Sequence, residues 1–461
     1  MTQLPDGRVA AQVVPADVFD RLLFPGVSAE VWMQPGVEIG DLPETQAVAY
    51  RHPDGGGVCL VLGGGNVTSI APLDVLYKLF VTNRVVILKT HPALGYLAPI
   101  LEQGLRPLLR DGFLRIVPGG AREGAYLANH PGVDEVHITG SYRTYESIAF
   151  GHGPAGEERR LRDEPILDKP FSAELGNLTP VIVTPGRWSE PQIAYHADNI
   201  ATMLTNNAGF NCTTARLLIT PAGWRQRHRL LEAIRGRLRE IHPRAAYYPG
   251  AAERFDQFVA AHPEAELYGD RQGDRLPWGL ISDLDPRRTD DPCFTTEAFC
   301  GLFGEVPLPS EGAADFVDRA VAFANESVWG TLNATLIVHP DSLRDAATAE
   351  AVERAIVNLH YGTVSVNHWS TLGYALGTTP WGAYPGHTRS QIGSGTDVVH
   401  NTLMFSRSEK TVIRAPFRAW PKPVWFGTHA TSHRLAHRLV RFEAHPTLLK
   451  VAGMLPLAVL G

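Results

Sequence analysis

Val58-Cys59-Leu60-Val61-Leu62-Gly63-Gly64-Gly65-Asn66 is an unbroken apolar run closed by three glycines. Five successive β-prone side chains without polar alternation read as a strand buried on both faces, and the glycines mark the turn that ends it. Residues 73–80 follow at helical spacing, and 85–88 (VVIL) is the next strand. Residues 97–109 read as a helix, 114–117 (LRIV) as a strand ending at Pro118-Gly119-Gly120, and 124–129 as a helix. Residues 135–139 (EVHIT) form a further strand closed by Gly140-Ser141. Strands separated by helix-length segments imply βαβ units and a parallel sheet. The loops after the strands then lie along one sheet edge, where nucleotides bind.

The pattern restarts near Pro180. Residues 181–184 read as a strand, 192–206 as a long helix, 215–219 as a strand and 224–241 as a helix. Residues 242–291, rich in proline, glycine and charge, read as loops with short helices. A helix over 314–325, a strand over 334–338, a helix over 343–358 and a strand over 363–367 complete a second α/β unit. After Trp420 the character changes. Pro421 and Pro423 precede a basic, apolar segment at helical spacing (433–442), and 448–460 is apolar and nearly uncharged. The plainer reading is a C-terminal helix docked on the body. The alternative is a helix at a membrane surface or substrate entrance, work that basic amphipathic segments do.

With 461 residues, 44% hydrophobic and 20% charged, the chain can bury large cores without covalent staples. Its net charge of −6 argues against a nucleic-acid partner, which needs a basic face. Neither a signal-peptide pattern nor a long uncharged apolar run is visible, so a cytoplasmic protein is expected. The four cysteines, Cys59, Cys212, Cys293 and Cys300, include no pair at metal-ligand spacing; free thiols and no metal site are expected.

A nucleophilic cysteine needs a polar, turn-rich setting that favours its thiolate. Cys212 follows Asn206-Asn207-Ala208-Gly209-Phe210-Asn211, whereas the other three sit among apolar or aromatic neighbours, where an inert thiol is the rule. Residue chemistry alone leaves Cys212 open between a nucleophile and a structural loop cysteine. By the same standard Lys89 is open to being a solvated strand-end charge, Glu174 a surface carboxylate and Asn66 a turn residue.

Taken together, these segments resemble a known family. Asn207-Ala208-Gly209-Phe210-Asn211-Cys212 resembles the active-site cysteine signature of the aldehyde dehydrogenase superfamily, and Glu174-Leu175-Gly176-Asn177, 38 residues before Cys212, resembles its glutamate motif. Asn66, after the first strand and its glycines, stands where that family keeps an asparagine. Val85-Val86-Ile87-Leu88-Lys89 resembles its nucleotide-binding lysine strand, and residues 130–141 its second nucleotide loop. Glu297-Ala298-Phe299, residues 362–367 (GTVSVN) and Pro380-Trp381-Gly382 resemble its later motifs, in order, over about residues 48–413.

The resemblance implies a Rossmann-like, doubly wound α/β cofactor domain plus a second α/β catalytic domain, with a small hairpin and strand for oligomerisation. The boundaries expected are 1–178 for the nucleotide-binding part, including a hairpin near 46–58, and 179–385 for the catalytic part. A return with an oligomerisation strand would cover 386–420, and a helical tail 421–461. It also implies oxidation of an aldehyde to an acid with NAD or NADP. Cys212 would be the nucleophile, Glu174 the base that activates water, and Asn66 an oxyanion donor. Lys89, Gly140, Ser141, Glu297 and Phe299 would hold the cofactor. The resemblance further implies a homodimer or homotetramer, because an exposed edge strand invites pairing.

Several positions depart from the family pattern. Pro92 stands where an acid often selects NAD, so either cofactor is admitted. No second glycine follows Gly140-Ser141, Asn177 replaces a glycine, and Phe210 a glutamine. The Gly-Asn-Val context of Asn66 and Leu88-Lys89-Thr90 also resemble acyl-CoA or fatty-acyl reductases of the same superfamily, which use the same cysteine. A catalytically silent binding subunit is the remaining alternative. Phe210, Trp369, Trp381 and the apolar tail suggest a hydrophobic substrate.

Overall fold

The computed structural model describes residues 1–53 and 55–461. Strand Val58–Leu62 lies at the centre of a five-stranded parallel sheet. On one side it pairs with Val85–Lys89 and then Leu114–Val117; on the other it pairs with Glu135–Gly140 and then Phe171–Leu175. Alternate residues of the central strand enter different layers. Leu60 and Leu62 pack with Val136, Ile138 and Phe150, while Cys59 and Val61 pack with Val75, Val86 and Leu114. Both faces are covered, which is why the strand reads as continuously apolar. Strand order reverses between Val58–Leu62 and Glu135–Gly140, which opens a crevice at the carboxyl ends of that pair.

The second sheet has eleven strands. Its centre is seven parallel strands in the order Ser408–Arg414, Thr363–Val366, Asn333–Ile337, Pro180–Val183, Leu217–Pro221, Leu302–Leu308 and Trp278–Ile281. Here too strands feed two layers: Ile182, Leu217 and Ile219 go to one, Val181, Val183 and Leu218 to the other.

The structure corrects three expectations. Residues 2–33 do not join the smaller sheet. Strands Val9–Val14 and Ser28–Met33 extend the large sheet antiparallel, with Ser28–Met33 paired to Ser408–Arg414. That pairing also corrects the oligomerisation strand: Ser408–Arg414 is interior, both its edges are filled within the chain, and it offers no free ladder to a second copy. The segment near 46–58 is not a hairpin. Val48–Arg51 is one helical turn entered through Ala47 in the left-handed region, and Asp54 lies outside the described residues. The stretch 242–291, read as loops with short helices, contains the helix Ala251–Ala261 and also the buried strand Trp278–Ile281.

Glu174 lies on an edge strand of the smaller sheet. Its strand, Phe171–Leu175, forms a bridge to Gly395, whose φ of +121° no side chain adopts easily. A Cβ there would sit 2.1 Å from the carbonyl oxygen of Ala173. We expect Gly395→Ala to cost roughly 2–4 kcal/mol through strain and forced displacement of that strand. Urea unfolding checks this, and an unchanged midpoint would refute the close approach.

Candidate active site

Asn66 follows the central strand and Gly140-Ser141 follow its neighbour, so chain topology brings both to the crevice. Behind it lies a cavity of about 140 Å³ lined by Asn66, Gly140, Ser141, Glu174, Cys212, Glu297 and Phe299. Seven of the eight residues singled out in the sequence therefore converge. The eighth, Lys89, ends its strand outside this lining and is buried near Glu123; burial lowers its pKa.

Cys212 is reached through three successive left-handed residues, Asn207, Ala208 and Gly209. For the first two this conformation is costly, and such strain persists only where surroundings over-determine it. They do so here. Asn207 Nδ2 donates to the Asn66 carbonyl at 2.9 Å, and Tyr247 donates to that carbonyl (2.9 Å) and to Asn207 Oδ1 (3.1 Å). Arg216, fully buried, donates to the carbonyls of Gly209 and Cys300. A Cβ on Gly209 would lie 2.5 Å from the Cys300 oxygen, so only glycine fits. Asn66 Nδ2 donates to the Phe210 carbonyl at 2.7 Å, which leaves its second amide hydrogen free of that bond.

The Cys212 carbonyl is held from behind. Thr179 Oγ1 and Asn333 Nδ2 both lie 3.3 Å from it, and both also reach Asn177 Oδ1. Asn177 Nδ2 donates in turn to the Asn333 carbonyl at 3.0 Å. The asparagine that replaces the family's glycine thus ties the end of the Glu174 segment to the cysteine loop.

Glu174 is buried, and its Oε1 accepts the indole N–H of Trp381 at 3.0 Å. Burial, then the charge of Asp74, push its pKa well above the usual carboxylate range, against the indole bond. Burial also pushes the Cys212 thiol well up, with Glu174 and Glu297 adding to it. Glu297 is raised to about 7 by burial, opposed by Arg216 and Arg254, and its Oε1 is buried with no hydrogen-bond partner. The segment after it is held by Arg254, which donates to the carbonyls of Ala298 (3.0 Å) and Phe299 (3.1 Å).

Sequence reasoning missed Tyr248 and Arg254 in the lining, because they come from the stretch taken for loops. It also misplaced the aromatics. Phe210, Trp369 and Trp381 do not line the cavity: Phe210 is buried against Tyr247 and Phe299, and Trp369 donates to the Thr213 carbonyl. The aromatic lining is Tyr142, Tyr248, Phe258 and Phe299. Away from this cavity, ligand-type atoms of buried His262, Asp291 and Cys293 lie within 4.8 Å of one another. His262 Nε2 is 3.0 Å from Asp291 and Nδ1 is 2.9 Å from Glu264, which pins helix Ala251–Ala261 to the turn before Glu297. No helix among the described residues is long and apolar enough to cross a membrane.

Residues 28–243 match the model of the aldehyde dehydrogenase family. The chain is 28% identical over 320 residues to the N-succinylglutamate 5-semialdehyde dehydrogenase of Sphingopyxis alaskensis, covering 66% of this chain and 61% of that protein. It is 29% identical over 285 residues to the aminoacetaldehyde dehydrogenase of Pseudomonas aeruginosa, covering 59% of this chain and 51% of that one. Across five such curated relatives the aligned part spans 34–61% of their length. An NAD-dependent aldehyde dehydrogenase structure from Sinorhizobium meliloti superposes with a TM-score of 0.59 at 20% identity, over 89% of this chain and 71% of that one. A Pseudomonas syringae aldehyde dehydrogenase C with NAD+ and octanal superposes at 0.57 and 19% identity, over 78% and 70%.

Burial of Glu297 has a consequence for stability. The unfolded carboxyl ionises near 4.5, whereas the folded one holds its proton to about 7, so between those values stability falls as pH rises. Glu297→Gln removes that loss. Urea unfolding should find it stabilising at pH 8 relative to pH 4.5, by roughly 2–3 kcal/mol; an equal effect at both values would exclude a raised Glu297.

Proposed function

Because the chain belongs to the aldehyde dehydrogenase superfamily, we propose that it oxidises an aldehyde to a carboxylic acid with NAD or NADP through Cys212. The observation that carries this reading is the convergence of Cys212, Glu174 and Asn66 on one cavity at the reversal of strand order. The crevice suits a dinucleotide. Ser141 caps the helix Tyr142–Phe150 at its mouth, so backbone N–H groups face a pyrophosphate there, and the unpartnered Glu297 Oε1 is an acceptor suited to ribose hydroxyls. Gly140, Ser141, Glu297 and Phe299 would hold the group, with Lys89 beyond them. When bound, it supplies the hydride acceptor.

The chain's own residues account for the remaining chemistry. Ionised Glu174 is the base available for the thiol proton, since burial leaves Cys212 neutral on its own. Sγ then bonds to the carbonyl carbon, and charge develops on the oxygen. The free amide hydrogen of Asn66 and the backbone N–H of Cys212 are the donors for it. Once that carbon has given up its hydride, the acyl group is a thioester on Cys212. After passing the thiol proton to solvent, Glu174 takes a proton from water, which attacks the thioester and releases the acid, and Cys212 leaves as thiolate and is reprotonated.

One observation favours a second reading in which the thioester is reduced rather than hydrolysed. Burial and the charge of Asp74 favour protonated Glu174 against the Trp381 bond that turns it to the indole, and a neutral acid does not activate water. Adding aldehyde with NAD+ or NADP+, and in the reverse sense acyl-CoA with the reduced cofactors, separates the two by the sign of the absorbance change at the nicotinamide band.

Cys212→Ala should abolish turnover with the fold intact by circular dichroism; survival of activity would end the proposal. Asn66→Ala should lower kcat about 10²–10³-fold through the lost donor. With Glu174 as base, the hydrolytic rate rises with pH as its raised pKa is crossed, because only the ionised form accepts a proton. Glu174→Gln should flatten that profile and slow both the first turnover and the release of acid, read by stopped-flow.

A further inference from the structure

The C-terminal tail folds as two helices, Ser432–Ala444 and Leu448–Val459, that pack on each other and on the helix Val18–Leu23. Their inner faces form a small core of Leu435, Phe442 and Met454 with Phe19, Leu23 and Val451. Arg438 donates to the Gly453 carbonyl, and Lys450 Nζ to the carbonyls of Arg441 (2.8 Å) and His445 (2.7 Å), which staples the pair. The second helix stays apolar on its outer face as well. Leu448, Leu449, Leu455 and Val459 are 58%, 84%, 53% and 48% exposed. Val440 on the first helix and Val18 and Leu22 on the N-terminal one are also exposed. A helix apolar all round is ordinarily buried, and a cluster of exposed aliphatics beyond one buried face marks an interaction surface.

Charge says which surface it meets. From Trp420 to Gly461 the chain has five basic residues (Lys422, Arg434, Arg438, Arg441, Lys450) and one acidic residue, Glu443, in a protein of net charge −6. A symmetric contact with a second copy would set this net positive segment against itself. A bilayer with anionic headgroups complements it, and aliphatic side chains beside cations are the composition of helices that lie in the interface plane. At about 1.5 Å per residue neither helix spans the roughly 30 Å of hydrocarbon, so the pair lies on a membrane rather than crossing it.

We propose that the outer face of the tail helices, with Leu448, Leu449, Leu455 and Val459 on the second and the exposed Arg434 and Arg441 on the first, docks the protein on anionic lipid bilayers. The full chain is to be co-sedimented with phosphatidylcholine vesicles with and without phosphatidylglycerol. Binding should be at least about tenfold stronger to the anionic vesicles and should weaken as salt is raised. The double variant Leu449→Glu/Leu455→Glu, at exposed positions outside the cavity, should lose at least about tenfold of that binding and keep wild-type circular dichroism. Arg434→Gln/Arg441→Gln should weaken binding and flatten its salt dependence. Binding to neither vesicle, or equally to both, overturns the proposal. So does self-association seen by sedimentation velocity that Leu449→Glu/Leu455→Glu abolishes, since the face would then be covered by a second copy.

Discussion

Keeping three acidic groups in one dry cavity is the constraint around which this molecule is arranged. Glu174, Glu297 and the Cys212 thiol line the same small space, and each raises the proton affinity of the others or has it raised by burial. Like charges so close cannot all ionise in a low dielectric. The surrounding groups answer that problem unevenly. Arg216 and Arg254 moderate Glu297, whereas Glu174 has only an indole N–H and has Asp74 against it. Asp74 is itself buried, raised to about 7 and bonded to Thr139, whose neighbour Gly140 opens the crevice. Burial thus favours the neutral forms of Glu174 and Cys212, while Glu297 and Asp74 change charge near pH 7.

The second arrangement that matters is mechanical. The cysteine loop carries backbone strain over residues 207–209, and its hold comes from both sheets. Asn66 grips it from the smaller sheet's crevice, accepting from Asn207 and donating to the Phe210 carbonyl; Thr179 and Asn333, joined through Asn177, grip the Cys212 carbonyl from the larger one. Buried hydrogen-bond networks of this kind are costly when incomplete and rigid when complete. The position of the sulfur is thus set by neither sheet alone.

How much of this was legible in the sequence depended on how local the signal was. Asn66, Gly140 and Ser141 directly follow parallel strands, so strand periodicity and glycine turns located them. Cys212, Glu174 and Glu297 stood out through short motifs. Trp381 was visible as a motif, but its bond to Glu174 was not, because it joins residues 207 positions apart. Arg254 lies in the helix Ala251–Ala261 and Tyr248 just before it, in a stretch whose proline, glycine and charge gave no signal for a site. The hairpin near 46–58 was expected from the family resemblance alone, and the structure has a helical turn at Val48–Arg51. The N-terminal strands escaped notice because Val9–Val14 is buried at five of its six positions and so shows no alternation.

That N-terminal annexation affects how the chain is assembled during synthesis. The strand Ser28–Met33 is made some 380 residues before its partner Ser408–Arg414. At ribosomal speeds of about 5–20 residues per second, the early strand waits tens of seconds with its edge open. The five-stranded sheet needs only residues 58–175 and suffers no such delay. The larger sheet thus closes last, around a segment that chaperones or temporary partners have to shield while translation catches up.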